Sequence, residues 1–388
     1  MLCHRKLHSL FKRAIFLVNT LVILGSSITA LAVARDAHAH GLRPVVVDTE
    51  RGPAFSCRWV VSEQVRPTDT EGILAQLLQL AGSSSALVST ADHWLRFLIE
   101  HRTVLQRAYG SILHPSNEAL AICLDKSTFA HWCLQNDLLT PRSWIGGKEV
   151  GPLAPRFPLL IRPARTLHDR GFLGLPKALE VQDERELHAW LARYAEKQVE
   201  PLISESLLGR DIEQSSISFA RRDSDMLVLS ARKVRPRPER CSVGSCVELH
   251  ADPVAEQLAR VAAERLDYFG IGEMEILHDR SDGQHYVIEI NARPWIQYAL
   301  APASGHDFLG LVLNVPSKRT ARRVKSGKTW INLHADLFNA FSRSVGDVRQ
   351  GRLAAGAYVA SALRSNVFAL FDWRDPKPFL ASLRRRGA

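Results

Sequence analysis

Residues Gly272–Trp295, GEMEILHDRSDGQHYVIEINARPW, constrain this chain more than any other stretch. Two segments, Glu273–His278 and His285–Asn291, read as strands. Apolar and polar residues alternate in both, and the second is rich in β-branched and aromatic residues. Asp279–Gly283 (DRSDG) between them carries turn chemistry and ends in Asp-Gly. Strict alternation puts Tyr286, Ile288 and Ile290 on one face and Val287, Glu289 and Asn291 on the other. A hairpin then brings Glu275 near Glu289 and Asn291. Two carboxylates and an amide oxygen on adjacent strands suit a hard, oxygen-preferring ion such as Mg2+. Mg2+ in turn suits nucleotide phosphates, whose charge it offsets. Arg293, two residues on, offers the same phosphates a planar fork of donors. The bland alternative is an exposed hairpin with a solvated acidic face and ordinary cross-strand pairs. It accounts for the acids alone, but not for the Asn and Arg that follow.

With 388 residues the chain is too long for one simple core and suits two or three packed subdomains. Cys3, Cys57, Cys123, Cys133, Cys241 and Cys246 form no C-x-x-C pair and no Cys/His zinc spacing. They read as free thiols in a reducing compartment, so the expected location is the cytoplasm. The formal net charge is +10, but the arginines are dispersed and the one dense run is Arg384–Arg386. Such an excess fits anionic small-molecule substrates, with no nucleic-acid or membrane partner expected.

Residues 1–34 are ambiguous. Basic His4–Arg13, apolar Ala14–Leu24 and the small residues of Ala30–Ala34 imitate a secretory signal, which would make the chain an exported binding protein. The rival is a β-α-β unit. Thr20–Leu24 is a buried strand, Gly25-Ser26-Ser27 a turn, Ile28–His40 a helix ended by Gly41, and Arg43–Asp48 a second strand closing on an acid. The second reading is preferred, because cleavage would orphan a sheet edge. The apolar run is also interrupted by Asn19 and Thr20 and is too short to span a bilayer. Residues 1–18 are then a basic leader. The turn at Gly25 is not G-x-G-x-x-G, so no dinucleotide site is assigned. Helices over Thr68–Ala81 and Thr90–Arg107 flank a strand at Ala86–Ser89, and Asp92 reads as a helix N-cap, with a substrate-facing role as the alternative.

Further on, Asp125 opens a helix reaching about Asn136, and Phe157–Arg162 is a strand. Asp183–Tyr194 is a helix with Trp190 in its core. Val199–Ser206 is a strand followed by a turn that Gly209 permits. Met226–Arg235 is a strand ending in Arg232, Lys233 and Arg235, either a solvated strand end or a bidentate clamp for phosphate or carboxylate, with Arg235 best placed. Pro253–Phe269 is an amphipathic helix. In the tail, Trp330–Leu337 reads as a strand and Ala354–Leu363 as a helix.

The acid at Glu275, followed by Glu289-Ile290-Asn291-Ala292-Arg293 as E-x-N-x-R, resembles the metal-binding end of the ATP-grasp superfamily. That superfamily includes biotin carboxylase, D-alanine–D-alanine ligase and many carboxylate–amine ligases. The layout is most similar to the predicted ATP-dependent carboligases, which resemble D-aspartate ligase, over roughly residues 19 to 312. The resemblance implies an α/β fold. A Rossmann-like domain (19–120) precedes a two-subdomain ATP-grasp fold of α+β character, with a lid part at 121–203 and a metal-bearing part at 204–312. Residues 313–388 are an extension.

The resemblance also implies roles. Glu275, Glu289 and Asn291 hold Mg2+ (or Mn2+). Lys126, Arg162 and Lys177 neutralise ATP phosphates, although Arg162 stands where the family usually has Lys. Glu205 and Asp211 seat the nucleoside, with Glu213 in reserve. Arg293 and Arg235 serve catalysis. The lid segment Ala164–Leu175 has only Gly171 and Gly174 and is glycine-poor for the family. Ser304-Gly305-His306 resembles a segment beside the active site, where His306 reads as structural sooner than as a base. Phe371–Pro376 resembles a closing motif of the carboligases. The implied reaction is ADP-forming, Mg2+-dependent joining of a small-molecule carboxylate to an amine through an acylphosphate, with a homodimer among the assemblies allowed. The alternatives are a degenerate, non-catalytic ATP-binding module, motivated by Arg162 and the lid, and biotin-type carboxylation.

Overall fold

The computed structural model describes residues 18–66, 69–145, 148–150, 156–165, 174–236, 244–315, 327–341 and 354–384. The leader Met1–Arg13 and most of the lid segment, including Gly171, lie outside them.

Thr20–Leu24 and Arg43–Asp48 form strands with the bounds the sequence implies, joined by the helix Ile28–Ala39. Thr20–Leu24 is the central strand of a five-stranded parallel sheet. Its neighbours on one side are Arg43–Asp48 and Val61–Gln64, and on the other Ser85–Ser89 and Ser111–Ile112. Leu21 to Leu24 are fully buried. That is why the run is uninterruptedly apolar, as strands covered on both faces are. It is also why the run imitates a signal h-region.

A second, antiparallel sheet orders Lys148–Val150, Ser143–Ile145, Pro201–Glu205, Leu159–Pro163 and Leu179–Val181. The helix Glu184–Glu196, capped by Asp183, covers it with Leu187 and Tyr194. Trp190 is only partly buried at the edge of that core, with Arg193 over its ring.

The large sheet has seven strands: Gln284–Asn291, Gly270–Asp279, Ile212–Arg222, Asp225–Pro236, Gly244–Leu249, Thr329–Ile331 and Val367–Phe368. Its third strand, IEQSSISFARR, is poorly legible in sequence, because the buried positions Ser215, Ser216 and Ser218 carry hydroxyls instead of hydrocarbon. The tail also departs from expectation. Thr329–Ile331 is a short strand and Leu333–Phe341 is a helix, so the extension completes the large sheet. The helix Pro253–Arg265 lies on this sheet through Ala255, Ala259, Ala262 and Ala263, whose small side chains allow close approach.

One core joins the parallel sheet to the segment after the hairpin, through Leu31, Trp295, Tyr298, Phe308 and Trp330. Polar ties run through it. Tyr298 donates to Asp36 at 2.7 Å, and His40 meets Asp307 at 2.7 Å while its other ring nitrogen faces the Asp36 carbonyl at 2.9 Å. Two acceptors around one ring favour the doubly protonated imidazolium. Burial opposes that charge, but the Asp307 bond and the Asp36 carboxylate outweigh it, so the pKa of His40 lies above its ordinary 6.5.

A folded-state pKa above the unfolded one adds stability that is fully present below about 6.5 and lost as pH rises through the folded value. His40→Ala is expected to cost about 1.5–3 kcal/mol at pH 6 and less at pH 8. Urea denaturation at the two pH values measures the difference, and an equal loss at both would show that folding does not raise the His40 pKa.

Candidate functional site

A cavity of about 730 Å3 lies between the small antiparallel sheet and the large sheet. The large sheet lines it with Gln214, Lys233, Glu275, Leu277, Ile288 and Glu289, and the facing elements with Lys126, Arg162, Lys177 and Glu205. Hydrocarbon from Leu160, Leu207, Ile212 and Leu277 leaves an apolar stretch beside this charge.

Glu275 pairs with Glu289 and Glu273 with Asn291 across the hairpin. Strict alternation fails at one place. The register shifts between Glu275 and Ile276, whose partner is Val287, so Ile288 is a bulged residue. Val287 therefore joins Ile290 in the core, while Ile288 and Glu289 both line the cavity. The sequence-based facing of Tyr286, Ile288 and Ile290 against Val287, Glu289 and Asn291 is corrected accordingly.

Lys126 is the first residue of the helix Lys126–Gln135, which Asp125 caps through the Ser127 and Thr128 amides. Its own amide donates to the Ala164 carbonyl at 2.9 Å, tying the helix to a strand end. The ammonium reaches Glu289 at 2.8 Å. A first-turn lysine is disfavoured by the helix dipole, and here this ion pair offsets the cost. Burial alone would raise the pKa of Glu289, but Lys126, Arg162 and Lys177 hold it well below the carboxylate range. Glu275 accepts from Gln214 at 2.8 Å and faces Lys233 at 3.5 Å.

Glu273, missing from the sequence-based set, adjoins Asn291 behind the cavity wall without lining the cavity. It is buried, accepts from the Ser216 hydroxyl, and accepts from the Asn291 amide at 3.1 Å. Burial and the neighbouring Glu275 push its carboxyl up to about 7. Its place two residues before Glu275 on the same strand face was the available signal.

Arg293 is half-buried beside the parallel sheet. Its Nε donates to Asp92 at 2.5 Å and its Nη2 contacts Asn291 Oδ1 at 3.4 Å. Asp92 is the first residue of the helix Asp92–Ala108 and Ala91 holds the N-cap position, which corrects the capping assignment. The carboxylate turns to the guanidinium because that bond carries charge on both partners.

Glu205 ends its strand and accepts from the Arg142 amide at 2.9 Å, with the Arg142 and Arg210 guanidiniums at 3.7 and 3.6 Å. Asp211 stands apart from the cavity lining. Its side chain is 61% exposed and pairs with Arg280 at 2.6 Å, whereas Glu213 lines the cavity. Arg235 also lies elsewhere. It forms a fork with Asp336, both bonds at 2.9 Å, and donates to Ser361. Register shifts between Lys233, Arg235 and Pro236 break the strand's alternation, so Lys233 meets Glu275 while Arg235 faces the tail helices. His306 is half-buried beside the Ser304 hydroxyl, and burial lowers its pKa.

Among the described residues no group of three or more His, Cys, Asp or Glu side chains is arranged to hold a metal alone. The set present is two opposed carboxylates with Asn291 next to them. It fits Mg2+, which keeps waters and takes one or two carboxylates together with substrate phosphates.

This site can be compared with known proteins. No protein-family model and no curated protein sequence matches the chain. Solved structures do. An ADP complex of N5-carboxyaminoimidazole ribonucleotide synthetase (PurK) has a TM-score of 0.63 at 15% identity, covering 80% of each chain. L-amino acid ligase from Bacillus licheniformis scores 0.58 at 17% identity, over 80% of this chain and 78% of that one. The biotin carboxylase domain of the Hydrogenobacter thermophilus 2-oxoglutarate carboxylase, solved with MgADP, ADP and bicarbonate, scores 0.59 at 14%, over 80% and 73%.

The geometry predicts a contrast between two acids. Asp92→Ala strands a half-buried guanidinium and is expected to cost about 2 kcal/mol. Asp211→Ala removes an exposed pair and is expected to change stability by less than about 1 kcal/mol. Chemical denaturation of the two variants tests the assignment, and equal losses would contradict it.

Proposed function

The chain has the ATP-grasp fold, and on that fold we propose an ATP- and Mg2+-dependent, ADP-forming ligase that joins a carboxylate to an amine. One observation carries this reading: Glu275 and Glu289 stand directly opposed on the cavity wall, against a cluster of cations from other elements. Such a set can exchange its internal ion pairs for a metal-bound polyphosphate. The structural neighbours supply support, since they include complexes with ADP and MgADP.

In this reading Glu275, Glu289 and Asn291 hold Mg2+, which when bound offsets charge on phosphate oxygens. Lys126, Arg162 and Lys177 neutralise the phosphates, and Lys233 is a further cation at the same wall. Glu205, fixed by the Arg142 amide, and Glu213 are acids that line the same cavity as the apolar stretch, which suits a nucleobase. Arg293, held by Asp92, presents its remaining donors beside Asn291 to an anionic substrate group. Arg235 is left with a structural role. A substrate carboxylate oxygen attacks the γ-phosphorus and ADP leaves. An amine then attacks the acylphosphate carbonyl, phosphate leaves, and the amine proton passes to solvent or base. Nothing in this sequence of steps needs a protein nucleophile. The chain supplies positioning and a fixed field. Amino acids are the first substrates to try, because one neighbour is an L-amino acid ligase.

Purified protein incubated with Mg2+, ATP and pooled amino and hydroxy acids, with and without amines, is expected to release ADP and phosphate only when substrates are present. Glu289→Gln is expected to lower that rate at least about 100-fold. ADP release unaffected by the substitution would overturn the metal assignment. Absence of turnover with intact Mg2+-dependent ATP binding would favour the non-catalytic module.

A further inference from the structure

Fifteen large apolar side chains are exposed among the described residues, and eight of them fall between Leu337 and Leu383. They are concentrated on one part of the fold. The helix Leu333–Phe341 exposes Phe338 (61%) and Phe341, the helix Ala355–Arg364 exposes Val359 and Leu363 (80%), and Trp373 is 87% exposed just before the helix Lys377–Arg384. The three helices are neighbours. His334 stacks on Phe379 and lies 3.4 Å from the Ser382 hydroxyl, while Phe341 meets Tyr358 edge-on at 5.3 Å. His334, Phe338 and Phe341 share one helix stripe, so the apolar face runs from the last helix across the first to the second. The Arg235–Asp336 fork anchors the opposite face of the first helix to the large sheet.

The charge on the same part of the fold has one sign. Residues 327–341 and 354–384 contain three acids. Asp336 and Asp375 are buried in ion pairs with Arg235 and Arg35, and Asp372 accepts from the Arg374 amide. Arg364, Arg374 and Lys377 are exposed, and the sequence continues Arg384, Arg385, Arg386. Along the sequence the basic residues are dispersed, which argues against a membrane partner, but among the described residues Arg364 follows the exposed Leu363, Arg374 follows the exposed Trp373 and Lys377 opens the last helix. Trp, Phe and Leu flanked by Lys and Arg on short amphipathic helices is the composition of elements that lie in a lipid interface. A two-fold contact between copies would set the same cations against each other. No helix among the described residues is long and apolar enough to cross a membrane.

We propose that the helices at 333–341, 355–364 and 377–384 dock the protein reversibly on an anionic lipid surface. This does not rest on the ligase reading, and the cavity residues are left untouched by its test. Full-length protein is sedimented with vesicles of phosphatidylcholine alone and of phosphatidylcholine with phosphatidylglycerol. Binding is expected only to the second and is expected to weaken as salt rises. Two variants, Phe338→Ser with Leu363→Ser and Arg364→Glu with Lys377→Glu, are each expected to weaken it at least about fivefold. Their far-ultraviolet dichroism and melting are expected to be unchanged, because every substituted residue is exposed. Failure to sediment with anionic vesicles, equal binding to neutral ones, or binding unchanged in both variants would overturn the proposal. So would a dimer that forms without lipid and dissociates in the Phe338→Ser, Leu363→Ser variant, since the face would then belong to a second copy.

Discussion

The site depends on the opposition of Glu275 and Glu289. Like charges placed directly across a strand pair repel one another. The hairpin tolerates them because each has a cation from elsewhere, Lys233 for Glu275 and Lys126 for Glu289. Lys126 comes from a helix start pinned to the small sheet, and Arg162 from a strand of that sheet. The electrostatic cost of Glu289 is thus balanced across the cleft and that of Glu275 within the large sheet, and the cavity lies between these pairs. A ligand that brings its own cation and its own negative groups can replace those contacts pair for pair.

The β-bulge at Ile288 and the register shifts after Lys233 have the same effect by different routes. Each changes which face of a strand a side chain occupies. The first puts Ile288 beside Glu289 and Val287 into the core. The second separates Lys233 from Arg235, giving the cleft a lysine and the tail helices an arginine. Arg293 adds a link of another kind, because its bond to Asp92 joins the hairpin to the parallel sheet. Together with the Tyr298–Asp36 and His40–Asp307 contacts it fixes the parallel sheet against the hairpin's end of the cleft.

Much of this was legible in sequence where one periodicity dominates. The central strand of the parallel sheet is apolar from Leu21 to Leu24, the hairpin alternates, and E-x-N-x-R follows in register, so these elements and the acid pair could be read directly. The serine-rich third strand of the large sheet escaped because its buried side chains are hydroxyls. Glu273 escaped because one acid per strand satisfied the motif. Arg235 and Asp211 were placed in the site by spacing, and spacing cannot register a bulge or an exposed turn. The tail's strands carry three and two residues, too few for any period to show.

On the proposed reading, Glu275 and Glu289 take a divalent ion together with nucleotide phosphates. Calorimetric titration of ATP into the protein, in Mg2+ and again in excess chelator, tests it most directly and needs no second substrate. Tight binding with Mg2+ and at least about tenfold weaker binding without it are expected, and Glu289→Gln is expected to remove the difference. Binding of equal strength in both buffers, or a Mg2+ dependence that survives the substitution, would contradict it.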